Sequence, residues 1–230
     1  MNKISIIIPI LNEEAFIGKL LEHLLVNSSK KNIAEIIVVD GGSTDNSKNE
    51  VLKFNGIIFL NSEKGRAKQM NFGAKHAFGD ILYFLHADSF PPEHFDDLII
   101  KEVQKGNEAG CFKMQFDYNH WWLKLVCWFT QFKWRACRGG DQSQFITKIL
   151  FDDIGGFDEQ YIIYEDNILI NELYKRNQFI VINKTLKTSA RLYKKYGVFK
   201  LQFYYLSIYL KCWLGADANE IYSFYKKKVC

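Results

Sequence analysis

No apolar run in this chain approaches the roughly 20 residues that span a bilayer. The longest candidate, Leu201 to Gly215, is short and broken by Lys211, so no membrane-spanning helix is expected. The apolar opening of MNKISIIIPILNEE lasts only a few residues before Asn12 and Glu13, with no small-residue cleavage site after it, and no signal peptide is expected. CxxC pairs are missing. The five cysteines, Cys111, Cys127, Cys137, Cys212 and Cys230, are scattered and odd in number. A zinc knuckle or dithiol redox motif is therefore not expected, and reduced thiols in a cytoplasmic protein are. Neither a lysine-rich tail nor a basic stripe is present, and the net charge is only +4. That balance argues against nucleic acid as a partner, while it permits contact with phosphates or an anionic membrane surface. Internal repeats and low-complexity tracts are also absent.

What remains is 230 residues, 48% hydrophobic and 16% aromatic, enough to build the core of one sizeable α/β unit. The first part alternates strand and helix patterns. ISIIIP (Ile4 to Pro9) and AEIIVVD (Ala34 to Asp40) are continuous β-branched runs, as strands buried on both faces require. Between them Phe16, Ile17, Leu20, Leu21, Leu24 and Leu25 recur at helical spacing. Asp45 is placed to cap a short helix toward Phe54. GIIFL and DILYFLH are two further strands, separated by a helix from about Arg66 to Phe78. Repeated β-α units imply a mostly parallel central sheet flanked by helices. Ligands in such sheets bind beyond the carboxyl ends of the strands. Asn12-Glu13, Asp40-Gly41-Gly42 and His86-Ala87-Asp88 all fall there and are expected to converge on one crevice.

Later elements are less regular. A helix is expected from Pro91-Pro92 through Val103, a strand over EAGCFKMQFDY, a helix from about Asp166, and a last strand at QFIVI. HWWLKLVCWFTQFKWR and the tail from Arg191 are dense in aromatics and cations. That composition suits a membrane-surface helix, an acceptor platform, a core helix or a homodimer contact.

Four stretches carry candidate chemistry, and each also has a purely structural explanation. In VVDGGSTDNS, Asp40 ends a strand where a carboxylate can accept from a base or ribose, and Gly41 and Gly42 allow close backbone approach; a plain tight turn fits too. In GRAKQMNFGA, Arg66 and Lys68 open a helix, where cations and amide groups suit phosphate; a solvated helix start is the alternative. In FLHADSFPP, Asp88 follows a hydrophobic strand and could hold a hard divalent ion with diphosphate and water, or Asp88 or Ser89 could cap the next helix. In IIYEDNILINELYKRN, Glu165 and Asp166 stand at a helix N-terminus, which lowers a carboxylate's pKa; they are a base or a capping pair.

In this order the stretches IIIPILNEE, VVDGGSTDNS, GRAKQMNFGA, GDILYFLHADSFPP and GGFDEQYIIYEDNILINELYKRN resemble glycosyltransferase family 2, which has the GT-A fold. The resemblance covers roughly Ile4 to Asn177, and LHAD, GGDQ and TSAR look like a bacterial glycosyltransferase-like branch of that family. It implies a GT-A unit over residues 1–190, with a nucleotide-binding half to about 90 and an acceptor half beyond, and a helical extension over 191–230 packed on it. Pro9, Asn12, Glu13, Asp40, Gly41, Gly42, Arg66, Ala87, Asp88 and Arg191 would line the nucleotide-sugar site. Asp88 matches the last aspartate of the family's metal-binding DxD motif, with Mn²⁺ or Mg²⁺ on the donor diphosphate. Asp166 matches the catalytic base, with Glu165 beside it.

Two departures from the family pattern stand out. His86 replaces the first DxD aspartate and is the second metal-ligand candidate. No histidine follows His120, so a C-terminal histidine ligand is absent, and Arg191 could supply charge to the diphosphate instead. Asp141 and Gln142, in GGDQSQ, could hold acceptor hydroxyls or merely form a turn. The expected activity is inverting transfer from a nucleotide-sugar, UDP-sugar by family default, to a carbohydrate, lipid or small-molecule acceptor. It would take place in the cytoplasm or on the inner face of the membrane. A nucleotidyltransferase is one alternative, although PILNEE stands where that class has a glycine-rich basic loop. A non-catalytic nucleotide-sugar-binding scaffold is the other.

Overall fold

A computed structural model describes residues 2–139 and 142–229. The described residues form an eight-stranded sheet with helices on both faces. In chain order the elements begin with β1 (Ile4–Ile10), α1 (Ile17–Asn27), β2 (Ile33–Asp40), α2 (Ser47–Leu52), β3 (Ile57–Asn61), α3 (Arg66–Lys75) and β4 (Ile81–Phe84). There follow β5 (Ser89–Phe90), α4 (Phe95–Gln104), β6 (Ala109–Phe116), α5 (Trp121–Phe129), β7 (Gln144–Thr147), α6 (Lys148–Ile154), α7 (Glu165–Lys175) and β8 (Ile180–Thr188). Helices α8 (Arg191–Tyr196), α9 (Val198–Trp213) and α10 (Ala218–Val229) complete the order. The strands are arranged β3-β2-β1-β4-β7-β6-β8-β5.

The first four strands are parallel, as the β-α alternation requires. Their continuous apolar runs serve two layers at once, because successive side chains point to opposite faces. Ile4, Ile6, Ile8 and Ile10 of β1 pack with Ile17, Leu20, Leu21 and Leu24 of α1. Ile7 points the other way, onto Ala67, Met70 and Ala74 of α3. Gly73 lets α3 lie close to the sheet: a Cβ there would come within 2.5 Å of Ile7 Cγ2.

Beyond β4 the sheet is mixed. Strand β7 pairs antiparallel with both β4 and β6, and β5 pairs antiparallel with β8. Neither β5 nor β7 was expected from the local sequence. The helix expected at Pro91-Pro92 begins at Phe95, because Pro91 to His94 turns first and His94 has φ of 55°. The last strand starts at Ile180 and extends to Thr188, well past QFIVI. A third apolar cluster joins Met114 and Phe116 of β6 and Leu123 and Cys127 of α5 to Tyr193, Val198, Leu201 and Val229 of the C-terminal helices. No helix among the described residues is long and apolar enough to cross a membrane. Cys111, Cys127, Cys137 and Cys212 are free thiols.

Candidate active site

Three loops meet at the carboxyl ends of β1, β2 and β4. The first two are stitched together by backbone-to-side-chain bonds. Asn12, held at φ of 58°, donates its N–H to Ser43 Oγ at 2.9 Å and accepts from Thr44 N–H at 2.8 Å. Glu13 N–H donates to Ser47 Oγ, and Glu14 N–H to Asp45 Oδ2. Asp45 Oδ1 also accepts from Ser47 N–H and Oγ–H. Desolvation pushes the Asp45 carboxyl up, but these bonds prevail and hold it below the ordinary value. Asp45 thus does act at the start of α2. The Asp40 carboxylate, 5% exposed, is turned onto its own loop and accepts from Ser43 N–H and Oγ–H. Gly41 is buried and Gly42 is exposed at φ of 94°. Pro9 is half-buried opposite Val39 of β2.

The third loop is joined to the first by an arginine from far along the chain. Ser89 Oγ and Thr188 Oγ1 are 2.9 Å apart where β5 clips onto β8, and Ser189 N–H donates to the Asp88 carbonyl. This brings Arg191 over the strand ends. Its Nη1 and Nη2 donate to the two Glu13 carboxylate oxygens at 2.7 and 2.5 Å, and its Nε lies 3.3 Å from Asp88 Oδ2. The guanidinium also sits 5.0 Å from the centre of the Phe16 ring. Asp88 is therefore an ion-pair partner and not a helix cap, and Ser89 is a strand residue. Ala87 is buried behind them.

A second arginine–carboxylate group faces the first. Arg66 opens α3; its Nη1 lies 3.3 Å from Glu165 Oε1 and 3.8 Å from Asp166 Oδ2. The Glu165 side chain is fully buried at the start of α7. Burial pushes its carboxyl above the ordinary value, and Arg66 only partly offsets this. The sequence expectation of a lowered pKa at this helix start does not hold for Glu165, because desolvation outweighs both Arg66 and the backbone N–H. Arg66 is near enough to Arg191 for their charges to repel. Two arginines and four acidic residues accordingly lie within electrostatic reach of one another at the strand ends.

Asp166 and His86 line one small cleft, with Met70, Phe84, Gly139, Ser143, Gln144 and Ile170. His86 is thus on the side of Asp166. Among the described residues, no group of three or more His, Cys, Asp or Glu side chains is gathered that could hold a metal by itself. The donor chemistry at Asp88 suits a hard divalent ion that takes most of its oxygens from a bound diphosphate and water.

Several site residues carried no signal in the sequence. Gln69, 4% exposed, donates from Nε2 to the carbonyls of Ile10 and Val39 and ties the ends of β1 and β2. Asn71 Nδ2 donates to Phe157 O, and Asn71 Oδ1 accepts from Phe157 N–H, which fixes the loop leading to α7. Arg135 Nη2 donates to Asn167 Oδ1, next to Asp166. Gln144 of β7 is 4% exposed in the wall of the cleft, and among the described residues both ends of its amide lack a hydrogen-bond partner. Of the two acceptor candidates that the sequence did offer, Gln142 is 2% exposed; its Oε1 accepts from Gly139 N–H, while its Nε2 has no hydrogen-bond partner among the described residues. Asp141 lies outside the described residues.

The sequence from residue 5 to 157 matches the model of Glycosyl transferase family 2. The chain belongs to that family. A relative from Methanococcus voltae, a dolichyl N-acetyl-alpha-D-glucosaminyl phosphate 3-beta-D-2,3-diacetamido-2,3-dideoxy-beta-D-glucuronosyltransferase, is 35% identical over 41% of this chain and 32% of its own length. An undecaprenyl-phosphate 4-deoxy-4-formamido-L-arabinose transferase from Proteus mirabilis is 33% identical over 55% of this chain and 41% of its own. The chain thus spans about a third to two fifths of these relatives. Among solved structures, S. aureus TarS 1-349 in complex with UDP superimposes with a TM-score of 0.64 at 20% identity, over 82% of this chain and 60% of that one. Glucosyl-3-phosphoglycerate synthase from Mycobacterium tuberculosis, in complex with Mn²⁺, UDP and glucosyl-3-phosphoglycerate, gives 0.59 at 16% identity, over 80% and 70%. The architecture of this family 2 chain is the GT-A fold.

Proposed function

We propose that this family 2 chain transfers a sugar from a nucleotide-sugar, a UDP-sugar in the first instance, to an acceptor hydroxyl with inversion at the anomeric carbon. The observation that carries this reading is the facing of two arginine–carboxylate groups across one crevice. Arg191 with Glu13 and Asp88 stands on one side, and Arg66 with Glu165 and Asp166 on the other. Residues 1–90 would supply the nucleotide half of the site and residues 91–190 the acceptor half, with 191–230 as a helical extension. Asn12 and the Asp40–Gly42 turn would border the base and ribose. Arg66 and Arg191 would bind the diphosphate, whose oxygens suit the planar guanidinium fork.

Asp166 would take the proton of the acceptor hydroxyl as it attacks the anomeric carbon in line with the departing nucleoside diphosphate. The arginines would stabilise the negative charge that grows on that leaving group. A Mn²⁺ or Mg²⁺ ion held by Asp88 would supply further Lewis-acid stabilisation of the diphosphate. His86 and Gln144 would contact the transferred sugar or the acceptor from the cleft wall. Complexes of the structural relatives with UDP, with UDP-GlcNAc and with Mn²⁺ support this choice of donor and ion. The transferases acting on dolichyl- and undecaprenyl-linked phosphates among the relatives support an acceptor of the lipid-linked class.

The test is a nucleotide-sugar panel with Mn²⁺ or Mg²⁺, read by thermal shift and then by release of nucleoside diphosphate. Asp166→Asn should cut turnover by about a thousandfold and leave UDP binding intact. Unchanged turnover would sink the assignment of the base.

A further inference from the structure

Among the described residues, most of the outer face of α9 is left uncovered. Phe199, Phe203, Leu206, Leu210 and Trp213 are 56, 65, 58, 55 and 82% exposed. Their spacing of 4, 3, 4 and 3 residues puts all five within an arc of about 80°, at 100° per residue. Val198, Leu201 and Ile208 on the opposite face are buried. A stripe of this length is not the scatter of single apolar residues that surfaces normally carry. It continues onto α5. The Phe199 ring lies 6.1 Å from Trp121 and 6.0 Å from Trp122, and Trp121, Leu125 and Trp128 are exposed along that helix.

Charge identifies what covers this surface. No Asp or Glu occurs between Asp117 and Asp141, or between Glu172 and Asp217. Lys124, Lys195 and Lys200 are exposed in the same segments, and Lys194 there pairs with Asp117 at 3.3 Å. We propose that α5 and α9 form an interfacial platform that lays its aromatic stripe into an anionic bilayer surface, with the lysines meeting the headgroup phosphates. Aromatic and aliphatic side chains rimmed by lysine, with Asp117 as an acidic residue at the edge, are what such a surface recognises. A second copy of the chain would meet the same positive charge on its own face.

The platform lies one helix away from the cleft. On the inner side of α9, Tyr209 Oη–H donates to the Arg138 carbonyl and to Asn167 Oδ1, adjacent to Asp166. Docking would thus hold the cleft near the membrane plane. The inference does not depend on the glycosyl-transfer reading.

The experiment is flotation of the full chain with phosphatidylcholine vesicles and with vesicles that also contain phosphatidylglycerol, beside sedimentation in their absence. The wild type should float with the anionic vesicles and sediment as a monomer. The Phe203→Glu/Leu210→Glu variant should lose at least about tenfold in vesicle binding with an unchanged melting temperature, since both sites are exposed and Glu is helix-compatible. Failure to float, undiminished flotation of the variant, or a dimer that the variant dissolves would each overturn the proposal. UDP thermal shift on the same samples tests the nucleotide site separately.

Discussion

The two arginine–carboxylate groups of the crevice use the same chemistry in different dielectric settings. The Glu13 and Asp88 side chains are each 14% exposed and share Arg191, which is 42% exposed. Glu165 is fully buried, and its partner Arg66 is 45% exposed. Water still reaches the first group, so its charges can part and re-form around an incoming anion at little cost. The second group has taken one carboxylate out of water. There Arg66 is needed to offset a desolvation that otherwise favours the protonated acid. One group is built to exchange partners, and the other to hold a fixed charge pattern beside Asp166.

That contrast is open to direct attack. Arg66→Met should cost about 2 kcal/mol of stability, less than the roughly 3–5 kcal/mol for breaking a fully buried pair because the arginine itself is half in water. Arg191→Met should cost less than about 1 kcal/mol, yet weaken UDP binding about tenfold. Equal losses of melting temperature in the two variants would erase the distinction between the groups.

The next effect is a trend with pH. The folded chain holds a proton on Glu165 more tightly than the unfolded chain, whose carboxyl titrates near 4.5. The resulting stability is complete below that value and is lost as pH rises through the higher folded value. Glu165→Gln removes the dependence, so the variant should gain in melting temperature relative to the wild type as pH increases from about 4 to about 8. A constant difference across that range would mean that desolvation does not govern this side chain.

The smallest stability effect is expected at Gln144. Leucine fills a similar volume and leaves no orphaned amide, so Gln144→Leu should match or slightly exceed the wild type, within about 1 kcal/mol. KM for donor or acceptor should rise all the same. A large loss of stability with unchanged KM would make Gln144 a structural residue.

How far the site could be read from the sequence follows the same division. The ends of β1, β2 and β4 were legible, because buried parallel strands are continuous apolar runs and each stops at a polar cluster. Asp40, Asp88 and Asp166 all stand where those patterns put them, at strand ends or a helix start. The cleft wall at β7 was not legible. GGDQSQ has turn composition, but Gln144 is drawn into β7 by pairing with Phe84 of β4, a contact that no local pattern records. Nor did the electrostatics of Glu165 show, since the helix N-terminus is visible in sequence and the depth of burial is not.

The clip between β5 and β8 also sets an order of events. Ser89 and Thr188 are 99 residues apart, so the Asp88–Arg191 contact has one of the longest loops in the chain to close. The parallel strands β1 to β4 can pair while the later chain is still being made, but the strand ends lack Arg191 until about a hundred residues more have been added after β4. Non-local pairings of this kind are slow steps in folding. Capture of an anion at these strand ends would therefore report that Arg191 has docked, and a chain cut before residue 191 could keep the β-α layers while leaving Glu13 and Asp88 without their shared cation.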